Sequence, residues 1–142
     1  MITKRFSQDL HDQYDEPARK AVSEWMMRVH NLRAEPHPDK YWVDLVVYKN
    51  NKLSGYAEVE VRGWSPCPYE TIHVPHRKDK FFDSELPTVF FALTKDLQNA
   101  YWIDAKYVVE HPVIEVKNKE VPHGEMFFDV PKKLFAYVSL RK

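Results

Sequence analysis

The stretch that decides the fold is Lys40–Trp64, KYWVDLVVYKNNKLSGYAEVEVRGW. Its β-branched and aromatic residues predict a strand over Tyr41–Tyr48, and the strict alternation of Gly55–Arg62 predicts a second one. Between them lie Asn50 and Asn51, which tolerate the positive φ angles that tight hairpin turns need. The stretch therefore predicts a β-hairpin.

Three acids lie on this hairpin: Asp44 on the first strand, and Glu58 and Glu60 on one face of the second. Asp44 is the only charged residue on its predicted strand, and a carboxylate among apolar groups is costly unless something compensates it. If the register brings the polar faces together, the three carboxylates repel each other unless a proton or a cation lies between them. The sequence thus predicts a candidate divalent-metal site built from oxygen ligands.

Asp44, a turn and Glu58-Val59-Glu60 together resemble the signature of the PD-(D/E)xK nuclease superfamily. That signature is an acid on one core strand and (D/E)-x-K on the next strand, after an N-terminal helix. The resemblance covers roughly residues 10–104 and implies an α/β, restriction-endonuclease-like sandwich, in which helices flank a central mixed β-sheet. This chain has Glu60 where the motif has lysine, as some restriction endonucleases of the superfamily do.

The resemblance implies a metal-dependent endonuclease that acts on nucleic acid, on DNA rather than RNA. Asp44, Glu58 and the Val59 carbonyl would bind Mg²⁺ (or Mn²⁺). Such an ion lowers the pKa of a bound water and neutralises charge on the phosphate. Glu60 would act as a base or as a second metal ligand.

The positive charge that the motif lysine supplies needs another source in this chain. The candidates are Arg62, on the same face two residues after Glu60, and Lys78 or Arg77 in the following element. Family members often place an acid on the first helix, so Asp15 is a candidate further metal ligand. A plain helix cap is the alternative for Asp15.

Other interpretations remain open. The acids could form a solvated strand face with Arg62 and Lys52 as partners. The chain could also be a catalytically inactive member of the same fold that binds protein or nucleic acid, which Glu60 and the net charge of +0 favour. A second literal match, Asp104 followed by Glu115-Val116-Lys117, ranks lower because no long helix closely precedes it.

Composition supports a single folded domain spanning 1–142, since 44% of the 142 residues are hydrophobic. Cys67 is the only cysteine, which excludes an intrachain disulfide and a cysteine metal cluster. No segment is apolar enough to cross a membrane or act as a signal region. We therefore expect a cytoplasmic protein without membrane contact, and homodimerisation remains open.

The rest of the chain predicts further elements around the hairpin. Residues 1–14 are expected to form a loose arm or a short helical turn, and Asp15 and Pro17 to begin a helix with an apolar stripe. The other predictions are a strand over Tyr69–Val74, a short helix within His76–Asp83, an interior strand over Thr88–Thr94, strands over Tyr101–Asp104, Val113–Lys117 and Glu125–Val130, and a strand or helix over Lys133–Leu140.

Overall fold

The computed structural model describes residues 2–39, 43–76, 85–117 and 124–141, with side chains from residue 16 onward. Its helices are α1 (Ile2–His30) and the short α2 (Ala105–Val108), and a 3₁₀ turn covers Lys132–Leu134. The strands are β1 (Arg33–Pro36), β2 (Leu45–Lys49), β3 (Lys52–Val61), β4 (Thr71–Pro75), β5 (Thr88–Leu93), β6 (Asn99–Asp104), β7 (Val113–Val116), β8 (Glu125–Pro131) and β9 (Ala136–Ser139).

The strands form two sheets. The larger sheet has the order β1-β2-β3-β5-β6-β9, and the smaller one has the order β4-β8-β7. Strands β3 and β5 run parallel, whereas the other described pairs run antiparallel. Helix α1 packs on one face of the large sheet, and the small sheet covers the other. The predicted α/β class with a mixed sheet is confirmed at this level. In the described residues, however, one face carries a sheet where a flanking helix was predicted.

Helix α1 docks through its apolar stripe, as predicted. Ala18, Val22 and Trp25 are buried, and the Trp25 ring meets Phe91 of β5 edge-on with centroids 5.9 Å apart. The predicted helix start at Asp15 is wrong, as is the loose arm over 1–14, because the helix runs from Ile2 straight through Pro17. A proline inside a helix leaves one carbonyl without its usual partner. Pro17 is exposed, so a water molecule can donate the missing hydrogen bond to that carbonyl.

The hairpin is confirmed. Asn50 and Asn51 have φ angles of 52° and 63°, which is the left-handed conformation of a two-residue hairpin turn. The first strand is shorter than predicted, since β2 begins at Leu45 and Asp44 lies directly before it. Residues 41 and 42 of the predicted strand lie outside the described residues.

Strand β5 is the predicted interior strand. Phe91 and Leu93 face the core under α1, whereas Phe90 and Ala92 face the core between the two sheets. The parallel pairing with β3 begins where the Tyr56 amide donates to the Pro87 carbonyl at 2.9 Å. This approach depends on Gly55, because a Cβ there would lie 2.6 Å from the Pro87 oxygen.

The other elements predicted from the sequence are partly confirmed. β6, β7 and β8 are confirmed, and the segment Lys133–Leu140 resolves into the end of the 3₁₀ turn and strand β9. The predicted third strand exists as β4 but belongs to the small sheet. β1 was not predicted; as an edge strand it accommodates Pro36. The predicted helix within 76–83 falls largely outside the described residues.

Neither α1 nor α2, the two described helices, is long and apolar enough to cross a membrane.

Candidate functional site

The candidate site lies at the fork where β2 and β3 part. The two strands pair from Lys49–Lys52 to Leu45–Ala57. Beyond this point β3 continues, paired with β5 as far as Val61–Leu93. Because Asp44 precedes Leu45 and Glu58 follows Ala57, the two acids stand opposite each other one position past the last β2–β3 pair.

Asp44 and Glu58 each bind the strand that carries the other. The Asp44 amide donates to Oε1 of Glu58 at 3.1 Å, and the Val59 amide donates to Oδ2 of Asp44 at 2.8 Å. These bonds replace the ladder bonds that would join the strands if pairing continued. They fix both carboxylates at the fork, so the predicted proximity of Asp44 and Glu58 is present in the structure.

The two acids differ in their surroundings. The Glu58 side chain is completely buried, at 0% exposure, whereas 23% of the Asp44 side chain is exposed. Nη1 of Arg19, on α1, lies 3.9 Å from Oδ1 of Asp44. Arg19 therefore places a positive charge beside the Asp44 carboxylate.

Sequence reasoning missed Arg19. Its only signal was its position beside Ala18, at the border of the apolar stripe of α1. Residues flanking such a stripe lie close to the sheet on which the helix docks. Which sheet residue Arg19 meets depends on the rotation of the docked helix, and the sequence leaves that open.

Glu60 has a different partner. Its Oε2 lies 3.5 Å from Nη2 of Arg62, and the same guanidinium donates a hydrogen bond to the His73 carbonyl of β4. Glu60 and Arg62 are one-quarter and one-fifth exposed, respectively. The Nε atom of Arg62 is buried and has no hydrogen-bond partner. The pairing of Glu60 with Arg62 is the alternative that the sequence left open for this acid.

The described residues contain no group of three or more His, Cys, Asp and Glu side chains arranged to hold a metal ion. Two carboxylates at the fork nevertheless suit Mg²⁺, which proteins commonly bind through one or two carboxylates, with water and substrate phosphate completing the shell. The donor chemistry of Asp44 and Glu58 therefore fits the ion. The candidate ligand Asp15 has no described side chain, and the candidate cation Lys78 lies outside the described residues.

The second literal motif has an ordinary structural role. Asp104 caps α2 by accepting from the Lys106 amide at 3.0 Å. Glu115 lies on β7, an edge strand, and its Oε1 is 3.6 Å from Nζ of Lys117, the residue after the strand. Asp104 belongs to the large sheet and Glu115 to the small one, so they do not occupy adjacent strands.

Comparison of the chain with protein-family models, with curated proteins and with solved structures found no match.

Proposed function

We propose that this protein is a metal-dependent endonuclease with a site of the PD-(D/E)xK kind. The observation that carries the proposal is the pairing of Asp44 with Glu58 at the fork. The surroundings support it, because a helix, an antiparallel hairpin and a strand parallel to the second hairpin strand follow in that order. This order resembles that of the superfamily core.

The roles follow from the contacts. Asp44 and Glu58 would hold Mg²⁺ (or Mn²⁺), and each is oriented by an amide of the opposing strand. When bound, the ion would lower the pKa of a water molecule and neutralise charge on the phosphate. Orientation in advance matters here, since carboxylates held by two strands need little rearrangement to bind the ion.

Arg19 would take the place of the missing motif lysine. It is a described cation beside Asp44, and 29% of its side chain is exposed. A planar guanidinium can bind two phosphate oxygens at once, which suits a substrate bridging the fork. Glu60 and Arg62 extend the site along β3 as a base and a second phosphate ligand.

A second candidate function is a catalytically inactive binding module of the same fold. It is favoured because the Asp44 carboxylate already accepts a hydrogen bond from the Val59 amide and lies near Arg19. The contacts of Asp44 are therefore satisfied without a metal ion. In this version the acids stabilise the fork, and the chain binds nucleic acid without cleaving it.

A cleavage assay with paired variants tests the proposal. DNA and RNA, single- and double-stranded, are incubated with purified protein and Mg²⁺ or Mn²⁺. Asp44→Asn and Glu58→Gln keep side-chain size and an oxygen acceptor, so we expect folded proteins without cleavage activity. Asp104→Asn and Glu115→Gln are the matched controls and should cleave like the wild type. Intact substrates with both metals would favour the binding module, and equal cleavage by all four variants would indicate a contaminating nuclease.

A further inference from the structure

A groove of about 740 Å³ lies away from the fork, between one edge of the large sheet and the small sheet. We call it the aromatic groove. Its walls carry three aromatic rings and two lysines: Tyr101 of β6, Tyr137 of β9, and Lys132, Lys133 and Phe135 in and beside the 3₁₀ turn. This combination of flat rings and cations is the surface that single-stranded nucleic acid uses.

The rings are held in place before any ligand binds. Tyr101 is buried, and its hydroxyl accepts a hydrogen bond from the Cys67 amide at 3.3 Å. The Tyr137 ring lies over it at a centroid distance of 4.4 Å and a tilt of 35°, and half of Tyr137 is exposed. Tyr137 therefore presents a supported, partly exposed face on which a base can stack at little conformational cost.

The charges of the groove favour an anion. Lys132 donates to the Cys67 carbonyl at 3.1 Å, a neutral partner, and Lys133 is exposed. Within the described part of the chain, neither lysine forms an ion pair with a carboxylate. Glu70 is the one acid in the described lining. Burial, together with Tyr101 and Asp96, raises the pKa of the Tyr137 hydroxyl above its ordinary value of 10.0, so the Asp96 carboxylate is a further negative charge that acts on this ring from outside the lining.

A second cleft shares a lining residue with the aromatic groove. Thr71 lines both the aromatic groove and a cleft of about 290 Å³, whose walls include Arg62, Trp64 and Tyr69. Tyr69 is 62% exposed, and Arg62 is paired with Glu60, which is two residues from Glu58 on β3. We call the aromatic groove and this cleft together the track, and its Arg62 pairs with Glu60 on the strand that carries Glu58.

We propose that this track binds single-stranded nucleic acid, with bases stacked on Tyr69 and Tyr137 and phosphates held by Arg62, Lys132 and Lys133. The choice of nucleic acid as the ligand rests on the proposed function. A single strand is the form that fits, because its bases are free to stack on protein rings whereas those of a duplex are occupied with each other. The substrate of the fork would then be a strand, or the unpaired end of a duplex.

Fluorescence anisotropy in chelator tests this binding separately from cleavage. The probes are a fluorescein-labelled oligothymidylate and a labelled duplex of the same length. We expect the single strand to bind tighter, and Tyr137→Ala and Tyr69→Ala each to weaken it about 10-fold, as loss of one stacked base predicts. Lys133→Gln should make the slope of log affinity against log salt shallower by about 0.7.

Tyr107 provides the matched control. It is also a half-exposed tyrosine, at 48%, with Nζ of Lys106 5.0 Å from its ring centroid, but it does not line the groove. Tyr107→Ala should bind like the wild type. Tyr137→Phe keeps the ring and should also bind normally. If Tyr137→Ala fails to fold, Tyr69→Ala and Lys133→Gln, both at exposed positions, carry the test. Unchanged binding by Tyr137→Ala and Tyr69→Ala, equal losses in Tyr107→Ala, or tighter binding of the duplex would overturn the proposal.

The two proposals fail in distinguishable ways. If the strand binds through Tyr69 and Tyr137 but nothing is cleaved with either metal, the endonuclease assignment fails and the track remains. If cleavage depends on Asp44 but the tyrosine variants leave both strand affinity and KM unchanged, the track fails and the active site remains.

Discussion

The backbone amide of Asp44 binds the Glu58 side chain, and the amide that follows Glu58 binds the Asp44 side chain. This reciprocal pair joins β2 and β3 at the point where their ladder ends. The same two carboxylates therefore hold the two strands together, a contact that we call the clasp, and are also the proposed ligands of a metal ion. These two roles can be separated, because a hydrogen-bond acceptor need not be charged but a ligand of Mg²⁺ is normally a carboxylate.

The first prediction separates the roles at Asp44. In chelator, Asp44→Ala should lower the free energy of unfolding by about 1–3 kcal/mol, because the partly buried Val59 amide loses its acceptor. Asp44→Asn keeps an oxygen there and should lose less than about 1 kcal/mol. Adding Mg²⁺ at about a hundred times its Kd should stabilise the wild type by about 2.7 kcal/mol and neither variant.

Urea titrations with chelator and with Mg²⁺ measure these differences. If the wild type gains nothing from Mg²⁺ or Mn²⁺ while Asp44→Ala is still destabilised, the clasp is the only role of Asp44. If Asp44→Asn gains as much as the wild type, Asp44 does not bind the ion.

The second prediction concerns the crossover that places β5 beside β3. A Cβ on Gly55 would lie 2.6 Å from the Pro87 carbonyl oxygen, which is backbone and cannot move aside without disturbing the start of the parallel pairing. We expect Gly55→Ala to lower the free energy of unfolding by about 1–3 kcal/mol, the usual cost of forcing extra volume into a packed site. Gly63→Ala is the matched control, because nothing lies within 4 Å of its added Cβ.

Thermal unfolding followed by circular dichroism measures both glycine variants. A Gly55→Ala protein as stable as the wild type would mean that the segment before β5 shifts freely, contrary to the packing described. A large loss in Gly63→Ala would show that the measurement reports something other than this close approach.

The third prediction is a pH dependence in the turn between β5 and β6. The Thr94 hydroxyl, 2.6 Å from Oδ1 of Asp96, and the Gln98 amide, at 3.0 Å, hold the pKa of Asp96 below its ordinary value of 3.8. A carboxyl with a lowered pKa in the folded state contributes stability above its unfolded pKa, and this is lost as the pH falls through the folded value. Asp96→Asn should therefore melt lower than the wild type at pH about 7, with the gap closing below pH about 4. A gap that stays constant across this range would contradict the prediction.

The hairpin and its acids were predictable because their evidence is local. Two adjacent asparagines specify the turn, and the alternation of β3 places Glu58 opposite the face that packs on α1. The register was not predictable in this way. Counting from the Lys49–Lys52 pair alone would place Asp44 opposite Ala57, but an irregularity between Val47 and Tyr48 shifts the pairing by one residue and brings Asp44 opposite Glu58.

What the sequence left open depends on contacts between distant segments. β4 alternates like a strand of either sheet, and its membership is decided by pairing with β8, more than 50 residues later. The position of Arg19 beside Asp44 depends on how α1 docks, and the contact between Arg62 and the β4 backbone depends on how the two sheets stack. The local residue pattern does not specify any of these contacts.

The last prediction concerns the position at which this chain departs from the motif. Glu60 cannot stabilise developing negative charge as the motif lysine would, and its carboxylate is paired with Arg62. Glu60→Lys alone would place two cations side by side, so it is combined with Arg62→Gln, whose amide can still donate to the His73 carbonyl. If Arg19 does not replace the motif lysine and Glu60 is not a base, the site lacks a cation, and the double variant should cleave about 100-fold faster than the wild type, the size of effect that one well-placed stabilising group has on a reaction rate. The roles proposed above for Arg19, Glu60 and Arg62 predict a slower double variant instead. Arg62→Gln alone should show no gain, and adding Asp44→Asn to the double variant should abolish cleavage. If the wild type is active and the double variant is slower, Glu60 acts as a base. If only the double variant is active, the natural chain is the binding module.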